Sequence, residues 1–315
     1  MYIEPKSEFA TSSCMSGFYK FEKYKTDING NIIEDSKVTF EQFPNLITDF
    51  GLNDIAVSNS VFDNCYLGSG SIEPAVSQTT LQSYLGTFNT LATSSTVKNT
   101  TIIPYYIAHK KVYRFNAGNC TGNISEVGIG RNTSALFSRS LITNNGIPVV
   151  ITKLSEEVLD VTYELRLYPN ITDVTGTITF TGNKGATHQY TMRPSVLSYW
   201  ESPMMDPYTS SYRIVGGPTS YEVYDGIIGT IFNSPAGNYS TSSSRSYEVY
   251  VNNSMTYVPK ITVPLDAGNF TNGIRSCKIG NYKTGIYQIQ YDPPIMKTSN
   301  DIVILRSKVT WGRKI

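Results

Sequence analysis

Charge is scarce in this chain. Asp, Glu, Lys and Arg make up 16% of its 315 residues, and their near balance leaves a formal net charge of +1. A field that weak draws in neither nucleic acid nor an acidic lipid surface, so no nucleic-acid partner is expected. Histidine is scarcer still, with only His109 and His188. Neither stands in an HExxH or Cys-His spacing, so no metal site is expected. Neither a GxSxG elbow nor a Gly-Lys-Ser/Thr phosphate loop is present, and no cofactor is implied. No apolar run reaches membrane-spanning length, which argues against membrane insertion. The opening MYIEPKSEFATSSCMSG lacks a basic region followed by an apolar one, so it does not read as a secretion signal. The four cysteines, Cys14, Cys65, Cys120 and Cys277, are far apart and too few for a disulfide scaffold. Reduced thiols in a protein assembled in a cytoplasm are expected, with a Cys65–Cys120 pairing left open.

What the chain does have is tyrosine, glycine and proline: 23, 24 and 15 residues. With abundant Ser, Thr and Asn, that mixture favours strands and turns over helices. A hydrophobic fraction of 40% is that of a globular protein. Asn-X-Ser/Thr triplets at Asn99, Asn119, Asn132 and Asn170 follow from this composition and do not by themselves indicate glycans.

Local patterns give an all-β fold with one helix. Asp27-Ile28-Asn29-Gly30-Asn31 and Asn145-Gly146 each sit between strand-like stretches, and Asn-Gly tolerates the positive φ of a tight hairpin. Phe43, Leu46, Ile47 and Phe50 fall at helical spacing, which predicts one short helix near residues 43–57. Leu159, Val161, Tyr163, Leu165 and Leu167 alternate with Asp160, Thr162, Glu164 and Arg166, the pattern of a half-buried strand ending at Pro169. Val174, Ile178 and Phe180 begin another alternation, and Val303, Leu305, Val309 and Trp311 a last one.

The fourteen residues from Ala117 (AGNCTGNISEVGIG) match those from Ala267 (AGNFTNGIRSCKIG) at seven positions, and each precedes the closing strand of its half. The expected organisation is therefore an N-terminal arm, 1–17, that orders on docking, and two antiparallel β-sandwich-like domains, 18–168 and 169–315, possibly duplicated. Residues 198–259 are expected to hold long Tyr-rich loops, with YEVYD (221–225) and YEVYV (247–251) as two strands that could pair.

Candidate chemistry is thin. His109, beside Lys110 and Lys111, reads as a surface-loop residue, and His188 as a polar strand position. A glycan hydrolase would need two carboxylates flanking the scissile bond. Glu156, Glu157, Asp160, Asp49 and Asp54 are available, but carboxylates beside turns and strand starts are usually solvated. No catalytic residue is assigned. Tyr199, Trp200, Tyr208, Tyr212, Tyr221 and Tyr224 form the candidate contact set, for a glycan or for a partner protein, because flat rings with polar tips suit both. Glu126 and Arg139 are charges inside otherwise apolar strands, and are expected either to pair across neighbouring strands or to face solvent.

Several blocks together resemble a family of bacteriophage tail and virion structural proteins. FPNLITDFGLN (43–53) resembles that family's NLIT-x-x-GLN segment, and LGSGSIEP (67–74) with Thr79-Thr80-Leu81 resembles its next block. GNISEVGIG (122–130) and LFSRSLI (136–142) are similar to its central blocks, ITKLSEEVLDVTYELRLY (151–168) to a domain-closing strand, and VTWGR (309–313) to its terminal strand. Residues 170–300 show little of this resemblance. It implies a non-enzymatic virion component in an oligomeric tail, collar or fibre assembly, whose partners are copies of itself and other tail or collar proteins. Two alternatives accompany it: a module that binds a bacterial surface glycan, and a tail-associated glycan hydrolase.

Overall fold

The computed structural model describes residues 1–88, 90–182, 186–201, 214–241 and 244–314. In chain order the first half supplies β1 (Phe9–Thr26), β2 (Ile32–Pro44), β3 (Leu46–Ile47), the helix α1 (Asp49–Asp54), β4 (Asn64–Gly68), β5 (Tyr84–Thr87), β6 (Thr90–Asn99), β7 (Tyr106–Phe115), β8 (Glu126–Asn132), β9 (Ala135–Leu141) and β10 (Glu157–Pro169). The second supplies β11 (Val174–Thr179), β12 (Thr187–Pro194), β13 (Ser220–Tyr224), β14 (Tyr239–Thr241), β15 (Ser244–Tyr247), β16 (Pro259–Val263), β17 (Ile274–Asn281), β18 (Gly285–Ile295) and β19 (Ile302–Arg313). Shorter strands fill some of the connections.

The fold is all-β with one short α-helix among the described residues. A large sheet runs β15-β16-β19-β1-β10-β7-β6, with β2 on the far end of β1. Two smaller sheets run β3-β9-β8-β4-β5 and β11-β12-β18-β17-β13-β14. Both lie on one face of the large sheet. Ser13 Oγ meets Tyr287 Oη of the second small sheet at 3.1 Å, and Tyr19 Oη meets Ser138 Oγ of the first at 3.0 Å. Ser13 and Tyr19 are six residues apart on one strand, so they point the same way. Phe9, Ser13, Met15, Tyr19 and Phe21 are buried under that cover.

β1 corrects two expectations. Residues 9–17 are not an arm but half of a central strand, paired with β10 on one side and with β19 on the other. Their polarity misleads because Thr11 and Ser13 are buried where small hydroxyl side chains fit below a covering sheet. The boundary at 168/169 also fails to separate two sheets, because β19 from the C-terminal end lies beside β1. That pairing is parallel, as is the short Tyr2–Ile3 strand against β19, so the sheet is mixed and not purely antiparallel.

The helix is shorter than its periodicity suggests. Thr48 caps it, its Oγ1 accepting the Gly51 N–H at 2.8 Å. Phe43 and Pro44 instead end β2, and Leu46 and Ile47 form β3. Gly51 is needed inside the helix, because a Cβ there would lie 2.2 Å from the carbonyl oxygen of Phe137. Both hairpin signals are borne out, with Gly30, Asn145 and Gly146 all at positive φ. The alternating stretches from Leu159, Val174 and Val303 are β10, β11 and β19, with Phe180 lying just past the end of β11. β10 lies between β1 and β7, so Asp160 and Glu164 on its second face are buried as well. The two Tyr-Glu-Val-Tyr stretches do not pair: β13 belongs to a small sheet, whereas Tyr247 ends β15 in the large one.

Two stretches of chain follow the same route. The series β3, α1, β4, β5, β6, β7, β8, β9, β10 matches β12, the 3-10 turn Leu197–Tyr199, β13, β14, β15, β16, β17, β18, β19. The small-sheet orders β3-β9-β8-β4-β5 and β12-β18-β17-β13-β14 coincide, as do the large-sheet arms β10-β7-β6 and β19-β16-β15. Every corresponding pair is antiparallel. The match extends to single hydrogen bonds. Thr48 N–H donates to Phe137 O as Ser195 N–H does to Ile286 O, both at 2.8 Å. Leu154 N–H donates to the Glu157 carboxylate as Thr298 N–H does to Asp301.

Candidate functional site

The tyrosine set does not converge. Tyr199 is 67% exposed at the end of the 3-10 turn, but its neighbour Trp200 is fully buried. The Trp200 indole donates to Ser195 O at 2.9 Å and meets Tyr287 edge-on, so it is a core residue and not a contact residue. Tyr224 is buried in β13, and burial pushes its hydroxyl up to about 12. Tyr221, on the same strand, is half-buried with the Arg245 guanidinium 4.9 Å above its ring. Tyr208 and Tyr212 lie outside the described residues.

The carboxylates weighed for catalysis each stand beside a cation. Asp160 takes a bidentate pair of bonds from Arg114, both 2.8 Å, and one from Tyr24 Oη at 3.0 Å. Glu157 pairs with Lys23 and Glu156 with Lys25, each at 3.0 Å. Asp49 accepts from Arg313, and Asp54 faces Arg131 at 3.4 Å. His109 is not in a loop. It is buried in β7, with Ser94 Oγ 2.5 Å from Nε2 and Thr96 Oγ1 3.2 Å from Nδ1. Burial, with help from the Lys111 charge, brings its pKa down to about 4, so the ring is neutral at pH 7. His188 is a strand position as expected, though buried, its Nδ1 against Pro293 O. Among the described residues no three His, Cys, Asp or Glu side chains are grouped as a metal site would need.

The most organised polar centre is the Glu126–Arg139 pair. β8 and β9 are antiparallel neighbours, and Arg139 sits opposite Gly128, two residues from Glu126 on the same face. A Cβ at Gly128 would lie 2.8 Å from Leu136 Cδ1. Arg139 Nε and Nη2 both donate to Glu126 Oε2, at 3.0 and 2.8 Å. The expected cross-strand pair is therefore present, and it is buried instead of solvated. Glu126 Oε1 accepts the N–H groups of Gly70 and Ser83 at 2.9 and 2.7 Å, and Oε2 accepts that of Gln82 at 3.0 Å. Arg139 also reaches Ile72 O at 3.0 Å and the Gln78 side chain. Burial alone would raise the Glu126 carboxyl, but the Ser83 and Gln82 N–H groups and Arg139 outweigh it and hold it below the ordinary carboxylate value. The pair thus clamps the loop between β4 and β5 from beneath.

The second half has an uncharged counterpart. Gln288 occupies on β18 the place of Arg139 on β9, opposite Lys278 where Arg139 is opposite Gly128. Its Nε2 donates to Pro194 O, Gly229 O and Thr230 O, and its Oε1 accepts Gly229 N–H at 2.8 Å. Ser276, at the place of Glu126, donates to Gly226 O at 2.7 Å. Both clamps therefore grip the corresponding loop.

A second pair of equivalent residues escaped the sequence reading. Buried Lys153 donates to Asn116 O at 3.1 Å, and buried Lys297 donates to Leu265 O at 3.3 Å and Asn269 Oδ1 at 2.7 Å. Each lysine pins the segment beginning the Ala-Gly-Asn repeat. The signal was there in Ile151-Thr152-Lys153-Leu154-Ser155 and Ile295-Met296-Lys297-Thr298-Ser299, which share Ile, Lys and Ser at the same spacing just before each closing strand.

Compared with family models, with curated proteins and with solved structures, the chain matches none.

Proposed function

We propose that the chain is a non-enzymatic structural component of a tailed-phage virion, building or connecting the tail and adsorption apparatus. Its partners are copies of itself and other tail or collar proteins, and its assembly takes place in the bacterial cytoplasm. The supporting observation is that the blocks carrying the family resemblance, scattered along the sequence, are joined to one another by hydrogen bonds. Thr48 of the first block donates to Leu136 O at 2.7 Å, and Leu136 N–H donates to Thr79 O at 3.0 Å. Gly70 and Ile72 of the second block are held by Glu126 and Arg139. Tyr163 of the closing strand accepts from Asn45 at 3.2 Å, and Trp311 of the terminal block donates its indole N–H to Leu52 O at 2.8 Å. Residues that meet to brace a loop and a helix are what a rigid building block needs.

The finer architecture belongs to the same proposal. The shared strand order is read as duplication of one β-sandwich-like unit, with β1 joining the two copies into one large sheet. Such a body offers repeated, weak contact surfaces that symmetry multiplies.

The test is the protein content of purified phage particles by quantitative mass spectrometry. The chain at a fixed copy number per particle is expected. A chain confined to the soluble lysate would overturn the proposal. For the glycan-binding alternative, Tyr199 is the exposed ring to mutate, and Tyr199→Ala should leave particle assembly intact.

A further inference from the structure

The two halves differ at one edge, and the difference points to a partner. In the second half, β12 covers the outer edge of β18 over six residues, from Tyr287 opposite Pro194 to Asp292 opposite Gln189, and β11 adds a further strand outside it. In the first half, the strand at the equivalent place is β3. It pairs with Ser138 and Arg139 of β9 and goes no further.

The cause is local. The chain just ahead of β3 turns away to serve the large sheet, where Pro44 pairs opposite Phe18 and Asn45 N–H donates to Gly17 O at 3.0 Å. Where a continuing strand would lie beside Ser140 and Leu141 there is instead a groove of about 360 Å3, lined by Pro44, Leu46, Glu73, Leu141, Gly146 and Pro148. A smaller hollow of about 190 Å3 continues it past Val149 and Val150 and shares Glu73, Leu141 and Pro148. Ile147 and Val150 stand on the rim, 67% and 58% exposed.

We infer that this groove takes an extended segment of a different polypeptide chain, which adds to the β9 edge as β12 adds to that of β18. Strand addition supplies main-chain hydrogen bonds along the edge, and pockets for alternate side chains supply selectivity. The lining asks for small or apolar residues against Leu141 and Pro148. It also asks for a basic one near Glu73, which forms no ion pair among the described residues. A second copy is the competing occupant, and the experiment below separates the two.

The inference rests on the virion reading, and one experiment separates their failures. A photo-reactive benzoylphenylalanine is placed at Ile147 or Val150 of the full chain, with Val249 (exposed, and outside the lining of either hollow) as control, and particles are irradiated. Two rim positions guard against a variant that fails to fold, and each is checked by its melting temperature. Adducts from the rim, but not from Val249, to one segment of a different virion protein are expected. Particles that contain the chain but give rim adducts only to another copy, or none, overturn the groove and leave the virion reading standing. Particles that lack the chain altogether overturn both.

Discussion

Arg139 donates twice to one carboxylate oxygen of Glu126, at 3.0 and 2.8 Å, and the other oxygen of that carboxylate receives the backbone of Gly70 and Ser83. Removing the negative charge leaves a guanidinium buried without its counter-charge. Breaking a buried ion pair from one side costs on the order of 3 kcal/mol. Glu126→Gln is therefore expected to lower stability by about that amount in urea unfolding. An unchanged unfolding midpoint and slope would remove the pair from the account.

The two clamps should act on separate loops. Gln288→Ala is expected to speed amide exchange between residues 225 and 238 by roughly tenfold, the size of one or two lost hydrogen bonds, with little change between 69 and 83. Arg139→Met should do the reverse. Exchange that rises in both loops for either variant would mean that the halves do not open independently.

Acid should destabilise the protein in two stages. The His109 pKa is about 4 in the fold against 6.5 for the free side chain, so between those values the unfolded chain binds more protons. Stability from this residue is present above 6.5 and is lost as pH falls towards 4. Glu126 and Glu164 lie below the ordinary carboxylate value despite burial, Glu164 through Arg166, Gln42 and Lys110. Their contribution holds above the unfolded carboxylate pKa, about 4.3. It is lost as pH falls through the lower folded values. His109→Gln should flatten the upper stage of a stability–pH curve and leave the lower one.

All four cysteines are free thiols. Burial raises Cys65, with Cys120 nearby adding to it, while Cys120 is raised to about 11 and Cys277 to about 12. Thiols of that kind are protonated and slow to react at neutral pH. Native protein treated with a thiol reagent should label first at half-exposed Cys14, and all four should label after denaturation. A native protein with two thiols missing after denaturation would indicate a disulfide.

Much of the strand content was legible because two-residue alternation survives wherever one face is buried, as at Leu159 to Leu167. The Asn-Gly turns were legible for a different reason, since few residues adopt their backbone. The stretch from Phe43 to Phe50 was not, because apolar residues at i, i+3, i+4 and i+7 also suit a strand that runs into a capped helix. Partner choice was harder still. Nothing local says that Phe9 to Met15 lies beside β19, since that pairing depends on chain ends brought together by the rest of the fold. At the candidate site, the charges of Glu126 and Arg139 stood out against apolar neighbours. The loop they grip did not, because they bind it largely through backbone atoms that any sequence carries. Tyrosine counts were a poor guide to contact: Tyr199 is exposed while Trp200 and Tyr224 are buried.

The central claim is that this is a building block held by contacts with other protein chains, including copies of itself. The measurement that tests it most directly is the molar mass of the purified protein by light scattering over a range of concentrations. A stable species of two or more chains, at a whole multiple of 35.0 kDa, is expected. A mass of one chain at every concentration, with cell binding that disappears in Tyr199→Ala, would contradict it and favour a receptor-binding module.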